Sequence, residues 1–222
     1  VTIRRRTRDP SPTAGGGRRL PLDRLFAEGA AGALVQPAAI AATLDRLGIV
    51  HVFIGGIVVG CYSGRPRATQ DVDVVLAPGS DADAAARAIA GLGKRLTIQR
   101  FPSFIAIQRP ASDGGASAVD LVTTSAGSYG LAFEAGETLR LEGQAIRIPS
   151  IEVMLVLKYT AAVNPIRPAE RALQDWADLA AMAAGTPTLH RERAYRLGNA
   201  VVPGYGDDLE RRLKQGDFSP RR

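Results

Sequence analysis

The chain is poor in the side chains that build disulfides and soft-metal centres. It has one cysteine, Cys61, and two histidines, His51 and His190, in 222 residues. A lone thiol excludes an internal disulfide, and a cytoplasmic setting is the expectation. One thiol and two scattered imidazoles furnish no zinc site in any usual spacing. No run approaches the ~18 apolar residues of a membrane span, so no membrane role is expected. Val1–Arg19 has arginines but no apolar stretch behind them, and does not read as a secretory signal.

Charge of one sign is also scarce outside the first residues. The net charge is +6, and residues 1–19 supply five of it, with six arginines against Asp9. The remainder is near neutral, so charge alone names no partner. A basic tail adds non-specific attraction to phosphates, or is simply solvated. Residues 1–19, rich in Arg, Pro, Gly and Ser, read as disordered.

What is present is a mixed pattern. "QPAAIAATLDRLG" (36–48) predicts a helix with Pro at its start and Gly at its end. "IVHVFIGG" predicts a buried strand running into a Gly pair, "IVVGCYSG" a short small-residue helix, and "DVDVVLAP" the next strand. A helix over "SDADAAARAIAGLG" is capped by Ser80 or Asp81. "KRLTIQR", "SFIAIQRP" and "ASAVDLVTT" predict further strands, the last two a hairpin. "TLRLEGQAIRIPS" predicts a second hairpin around Glu142-Gly143. From Ser150 the pattern is helical: 150–163, 168–184, and weaker helices near 187–197 and 203–214. The expected division is a tail 1–19, a core domain 20–149 and a helical part 150–222 packed on it.

Two carboxylates at the start of an apolar strand carry the chemistry. Asp71 and Asp73 share a face, about 7 Å apart along a strand. Burying both unpaired would cost several kcal/mol, and strands disfavour Asp. Sharing a divalent cation at the sheet's open end resolves the conflict, since magnesium favours one or two carboxylates with phosphate oxygens and water; a solvated strand end is the plainer alternative. Gly55-Gly56 closes one strand and opens a helix, where bare backbone can approach phosphates, though Gly-Gly is equally a tight turn. Asp120, between Val119 and Leu121, faces away from both and would join the pair if its strand lies beside theirs. Lys158 falls inside the apolar stripe Ile151, Met154, Leu155, Ala162, either snorkelling or reaching an anion. Asp175 and Asp178 lie one turn apart, flanking a Trp176, Ala180, Ala183 stripe, as solvated flank charges or as partners for Arg167 and Arg171.

"FIGGIVVGCYSGRPRATQDVDVVL" with a later strand Asp resembles the DNA polymerase β-like nucleotidyltransferase superfamily. "IPSIEVMLVLKYTAAVNPIRPAERALQDWADLAAM" is similar to the Lys helix, Arg-rich turn and Asp-x-x-Asp-Leu helix of abortive-infection nucleotidyltransferase toxins and their relatives. The resemblance spans roughly 37–184. It implies an α+β nucleotidyltransferase fold, a mixed sheet flanked by helices with a helical C-terminal part. It implies transfer of a nucleoside monophosphate from an NTP to a hydroxyl, with release of pyrophosphate. Two magnesium ions (or manganese) on Asp71, Asp73 and Asp120 are implied, with Lys158 on the triphosphate and Asp175 holding it. Gly55, Gly56, Arg67 and Thr69 belong to the implied nucleotide site, without the Gly-Ser hydroxyl of many relatives; Arg65 reads as a solvated loop charge. The implied acceptor is the 3′ end of tRNA or a protein side chain, with a cognate antitoxin as partner. A small-molecule acceptor such as an aminoglycoside or lincosamide antibiotic is an alternative that 5% aromatic content does not decide. A non-catalytic nucleotide-binding or interaction module is the other.

Overall fold

The computed structural model describes residues 20–67, 69–124 and 126–220; the tail expected over 1–19 lies outside them. Helices α1 (Leu22–Ala30) and α2 (Pro37–Arg46) lead into β1 (His51–Ile54), α3 (Gly55–Ser63), β2 (Val72–Leu76) and α4 (Ala82–Ala90). Strands β3 (Thr97–Arg100), β4 (Phe104–Gln108) and β5 (Ser117–Val122) follow, then the ribbon β6 (Gly136–Leu141) and β7 (Gln144–Pro149). Four helices end the chain: α5 (Ile151–Ala162), α6 (Ala169–Gly185), α7 (Arg191–Val201) and α8 (Tyr205–Gln215).

The main sheet runs β1-β2-β5-β4-β3, with β2 and β5 parallel and every other neighbouring pair antiparallel. Its central strands are apolar on both faces because helices cover them; Val74, Val75, Leu121 and Ile107 are buried. Local chemistry explains the ends. Asp81, not Ser80, caps α4 by accepting from Ala84 N at 2.8 Å. Glu142 and Gly143 both take positive φ, the turn that matches strand twist in a tight hairpin.

Some features differ from the sequence expectation or add to it. Helix α1 was not expected; its Leu25, Phe26 and Ala30 face is buried against α3 and β6. The β6–β7 ribbon does not join the main sheet, and β7 packs on β1 and α2 instead. Helix α7 starts at Arg191 rather than near 187, where the buried Glu152 carboxylate accepts from His190 N at 3.2 Å and fixes the helix start.

Helix α5 is buried nearly all round rather than along one stripe. Val153, Val156, Leu157 and Tyr159 are buried as well as Met154 and Leu155, because α6, α7, α8 and the turn Gly127–Phe133 surround it. A helix apolar on every side belongs inside a core. One hydrophobic cluster accordingly runs from Leu25 through the sheet to Leu213.

Candidate active site

The parallel β2–β5 ladder sets Asp73 directly opposite Asp120. Registered residues of adjacent strands point to the same face, so both carboxylates leave the sheet together. Asp71 precedes β2 by one residue, on the face of Asp73. Its carboxylate is held by the Thr69 hydroxyl, which also donates to Asp71 O at 3.3 Å. Asp120 Oδ1 accepts from the Ser117 hydroxyl at 2.7 Å, and among the described residues no side chain donates to its second oxygen.

Beside them β1 turns into α3. Gly55 has φ +75°, and a Cβ there would fall on the Asp73 carboxylate. The bare backbone thus lets the helix start lie against Asp73. Gly56 is less constrained; the nearest atom to a Cβ is Arg67 Nη1 at 3.5 Å, an ordinary contact.

Across the cavity a chain of alternating charges links the helical part to the loop before β2. Lys158 Nζ lies 2.8 Å from Asp175 Oδ1 and 2.8 Å from Asp178 Oδ2. Asp178 also holds Arg67 Nη1 at 2.6 Å, and Asp175 holds Arg167 Nε at 2.5 Å. Gln174 donates to the remaining Asp178 oxygen at 3.0 Å. Both aspartates are nearly inaccessible, at 1% and 3% exposure. The expected stripe of Trp176, Ala180 and Ala183 with flanking acids is therefore corrected: the buried face of α6 is Asp175, Trp176, Asp178, Leu179 and Met182. Paired charges tolerate burial that unpaired ones do not.

Gly55, Gly56, Arg67, Thr69, Asp71, Asp73, Asp120, Lys158 and Asp175 all line one cavity of about 460 Å³. Arg65 does not. The same wall includes Arg167 and Arg171, which the sequence offered as partners of Asp175 and Asp178, and residues that sequence reasoning passed over: Ser103, Phe104, Ser117, Tyr129 and Gln174. Tyr129 comes from the short turn Gly127–Phe133, which carries no periodic signal; Arg167 and Arg171 had a weak one, their spacing to the two aspartates.

The electrostatics are those of crowded carboxylates facing cations. Burial, then the charges of Asp71 and Asp120, push the Asp73 carboxyl up to about 7. Burial also raises Asp120, against the Ser117 hydrogen bond, with Asp71 adding to the rise and Arg171 opposing it. Burial works against a charged Lys158, but Asp178 and Asp175 more than compensate and hold its pKa above the ordinary value. Burial and the Asp73 charge raise the Tyr129 phenol, which therefore stays a hydrogen-bond donor at neutral pH.

The donor set fits a hard divalent cation. All three groups are carboxylates, and the middle one is disfavoured as an anion by burial and then by its two neighbours, a condition that a bound cation would relieve. Among the described residues, however, no three His, Cys, Asp or Glu side chains are already arranged to hold a metal ion; Thr69 and Ser117 each hydrogen-bond one of the carboxylates.

No family model matches the chain, and no curated protein matches it. Solved structures do. The antibiotic-resistance factor ANT(2'')-Ia in solution has a TM-score of 0.51 at 16% identity, over 80% of this chain and 94% of its own. A second structure of ANT(2'')-Ia, in complex with adenylyl-2''-tobramycin, has a TM-score of 0.43 at 16% identity, over 80% and 94%. An antigenic nucleotidyltransferase-like protein from Paracoccidioides brasiliensis has a TM-score of 0.47 at 22% identity, over 86% of this chain and 93% of its own. At these identities the likeness is one of fold alone: a mixed five-stranded sheet flanked by helices, similar to that of ANT(2'')-Ia in solution.

Proposed function

We propose that the protein is a metal-dependent nucleotidyltransferase that moves a nucleoside monophosphate from an NTP to an acceptor hydroxyl, releasing pyrophosphate. The observation that carries this reading is the convergence of Asp71, Asp73 and Asp120 with Lys158 on one cavity beside the Gly55 turn.

Asp71, Asp73 and Asp120 would hold magnesium or manganese, which when bound offsets phosphate charge and aligns nucleophile and leaving group. The chain's own residues do the rest. Lys158, kept protonated by Asp175 and Asp178, and Arg67 present positive charge to the triphosphate. Tyr129 donates from the same wall, where the charges of Lys158, Arg167 and Asp73 meet. Asp120, with Oδ1 occupied by Ser117, accepts the acceptor's proton at Oδ2.

The acceptor side favours a nucleic acid end such as the 3′ end of tRNA. Arg171 lines the cavity and makes no ion pair among the described residues. Phe104 lines it too, and Phe101 stacks on it with ring centroids 4.4 Å apart and planes 10° from parallel. A guanidinium unpaired among the described residues and a stacked ring on the wall of one cavity suit a phosphate and a base. A hydroxyl of a protein side chain is the neighbouring reading. The toxin assignment, with a cognate antitoxin as partner, rests on the Lys158 to Asp178 motif. An aminoglycoside acceptor draws support from the fold of the antibiotic-resistance factor ANT(2'')-Ia, but a polycation finds Arg171, unpaired among the described residues, on this wall.

The test is incubation of the protein with each α-labelled NTP and magnesium, against total RNA, a protein extract and an aminoglycoside panel. Label in tRNA is the expected result. Undiminished labelling by Asp73→Asn would remove the proposed metal role, and no transfer to any acceptor despite bound nucleotide would leave a non-catalytic module.

A further inference from the structure

Helices α5 and α6 present a second face, turned away from the cavity. The residues next to Lys158 and Asp175 in sequence, Tyr159 and Trp176, meet there edge to face, with ring centroids 5.9 Å apart. Helix α8 bears on that contact with two side chains. The Tyr159 hydroxyl donates to Asp208 Oδ2 at 2.7 Å, and Arg212 Nε donates to the same oxygen at 2.7 Å. The Arg212 guanidinium lies 4.3 Å over the Trp176 ring. Arg211 takes the other Asp208 oxygen at 2.5 Å, and Arg212 Nη1 donates to Ser219 O at 2.7 Å.

Such a cluster is costly to bury, because Arg212 is only 2% exposed and an apolar joint of equal volume would serve stability as well or better. What it supplies is direction. An ion pair, a hydroxyl and a cation over a ring fix position and rotation at once, where methyl groups would slide. Successive residues of a helix share a rigid backbone, so an axial rotation that moves Tyr159 moves Lys158 with it. The Lys158 amine must satisfy two carboxylates at 2.8 Å each, which leaves little room for such rotation.

We propose that Asp208 and Arg212 of α8 are positioning residues that brace Tyr159 and Trp176, and thereby hold Lys158 and Asp175 in register for the triphosphate. The inference rests on the transferase reading for its effect on rate, and on geometry alone for its effect on Lys158.

Two measurements test it, the second independent of activity. First, Tyr159→Phe and Asp208→Asn should each lower kcat/KM for the NTP about 10-fold with folding retained. In a Lys158→Ala background the same changes should lower it less than about 2-fold further, as expected when two residues act through one. Additive losses would mean that the brace serves folding only. Second, the chain has three lysines, Lys94, Lys158 and Lys214, of which Lys94 and Lys214 are exposed and act as internal references. Brief labelling with an amine-acylating reagent, read by peptide mass spectrometry, should show Lys158 protected. Tyr159→Phe and Asp208→Asn should raise its labelling at least about 5-fold relative to the other two. Unchanged Lys158 labelling in both variants overturns the brace. Absence of transfer in the parent protein, with the labelling shift intact, overturns the transferase reading and leaves the brace standing.

Discussion

Asp73 and Asp120 stand opposite one another across the parallel β2–β5 ladder, two like charges at a registered position. Directly opposed like charges destabilise a sheet, and Asp71 adds a third on the same face. The conflict is eased in three ways: Ser117 on Asp120, Thr69 on Asp71, and an Asp73 carboxyl that favours its proton up to about pH 7. A site arranged so holds less than its full negative charge below about pH 7.

This gives a stability signature. The Asp73 pKa is raised from 3.8 to about 7 in the folded state. Stability from its protonated form is therefore full below the unfolded value and is lost as pH rises through the folded one. Three pKa units correspond to at most about 4 kcal/mol. The stability gain of Asp73→Asn over the parent should grow between pH 4 and pH 8 in urea unfolding without metal. Millimolar magnesium should raise the parent's Tm at pH 8 far more than at pH 5. A pH-independent difference between the two proteins would mean that Asp73 titrates normally.

The two glycines of the turn should behave differently. Gly55→Ala places a methyl on the Asp73 carboxylate at a φ of +75°, and should cost at least about 2 kcal/mol and abolish activity. Gly56→Ala meets nothing nearer than 3.5 Å, so its Tm should stay within a few degrees while KM for the NTP rises. Equal loss of stability in both would place the constraint on turn formation rather than on the carboxylate.

Much of this arrangement was legible in the chain because it is local. A Gly-Gly bend between strand and helix, acids two apart on an apolar strand, and a lysine amid apolar helix positions are visible within a few residues. What was not legible depends on partners far away in sequence. Asp178 reads as a flank charge until Arg67, 111 positions earlier, reaches it. Tyr159 and Asp208, 49 apart, give no mutual signal. The turn that carries Tyr129 is short and aperiodic, and α1 owes its place to packing against α3.

The charge chain Arg67–Asp178–Lys158–Asp175–Arg167 leaves none of its three inner members, Asp178, Lys158 and Asp175, orphaned by a single loss. Lys158→Met leaves each carboxylate one arginine, and Asp175→Ala leaves Lys158 on Asp178. Single variants should therefore cost about 1–3 kcal/mol, whereas Asp175→Ala with Asp178→Ala strands a buried ammonium and should cost more than their sum. The raised Lys158 pKa means its contribution is complete below the ordinary lysine value and is lost only at higher pH, so the cycle is best measured by urea unfolding near pH 7. Additivity would show that the carboxylates do not share Lys158.

Arg171 decides the acceptor by its salt dependence. It is the cavity-lining cation that no carboxylate holds among the described residues, and its charge already favours ionised Asp120. If it meets a single-stranded acceptor phosphate, Arg171→Ala should lower the slope of log affinity against log salt by about 0.7, with NTP affinity unchanged. Phe101→Ala, which removes a ring 39% exposed and stacked on Phe104, should weaken acceptor binding by about 1–3 kcal/mol without altering that slope. Oligonucleotide binding measured at several salt concentrations separates the two. Should neither change affect it while both impair transfer to a protein, the phosphate and base contacts are absent and the acceptor hydroxyl belongs to a polypeptide.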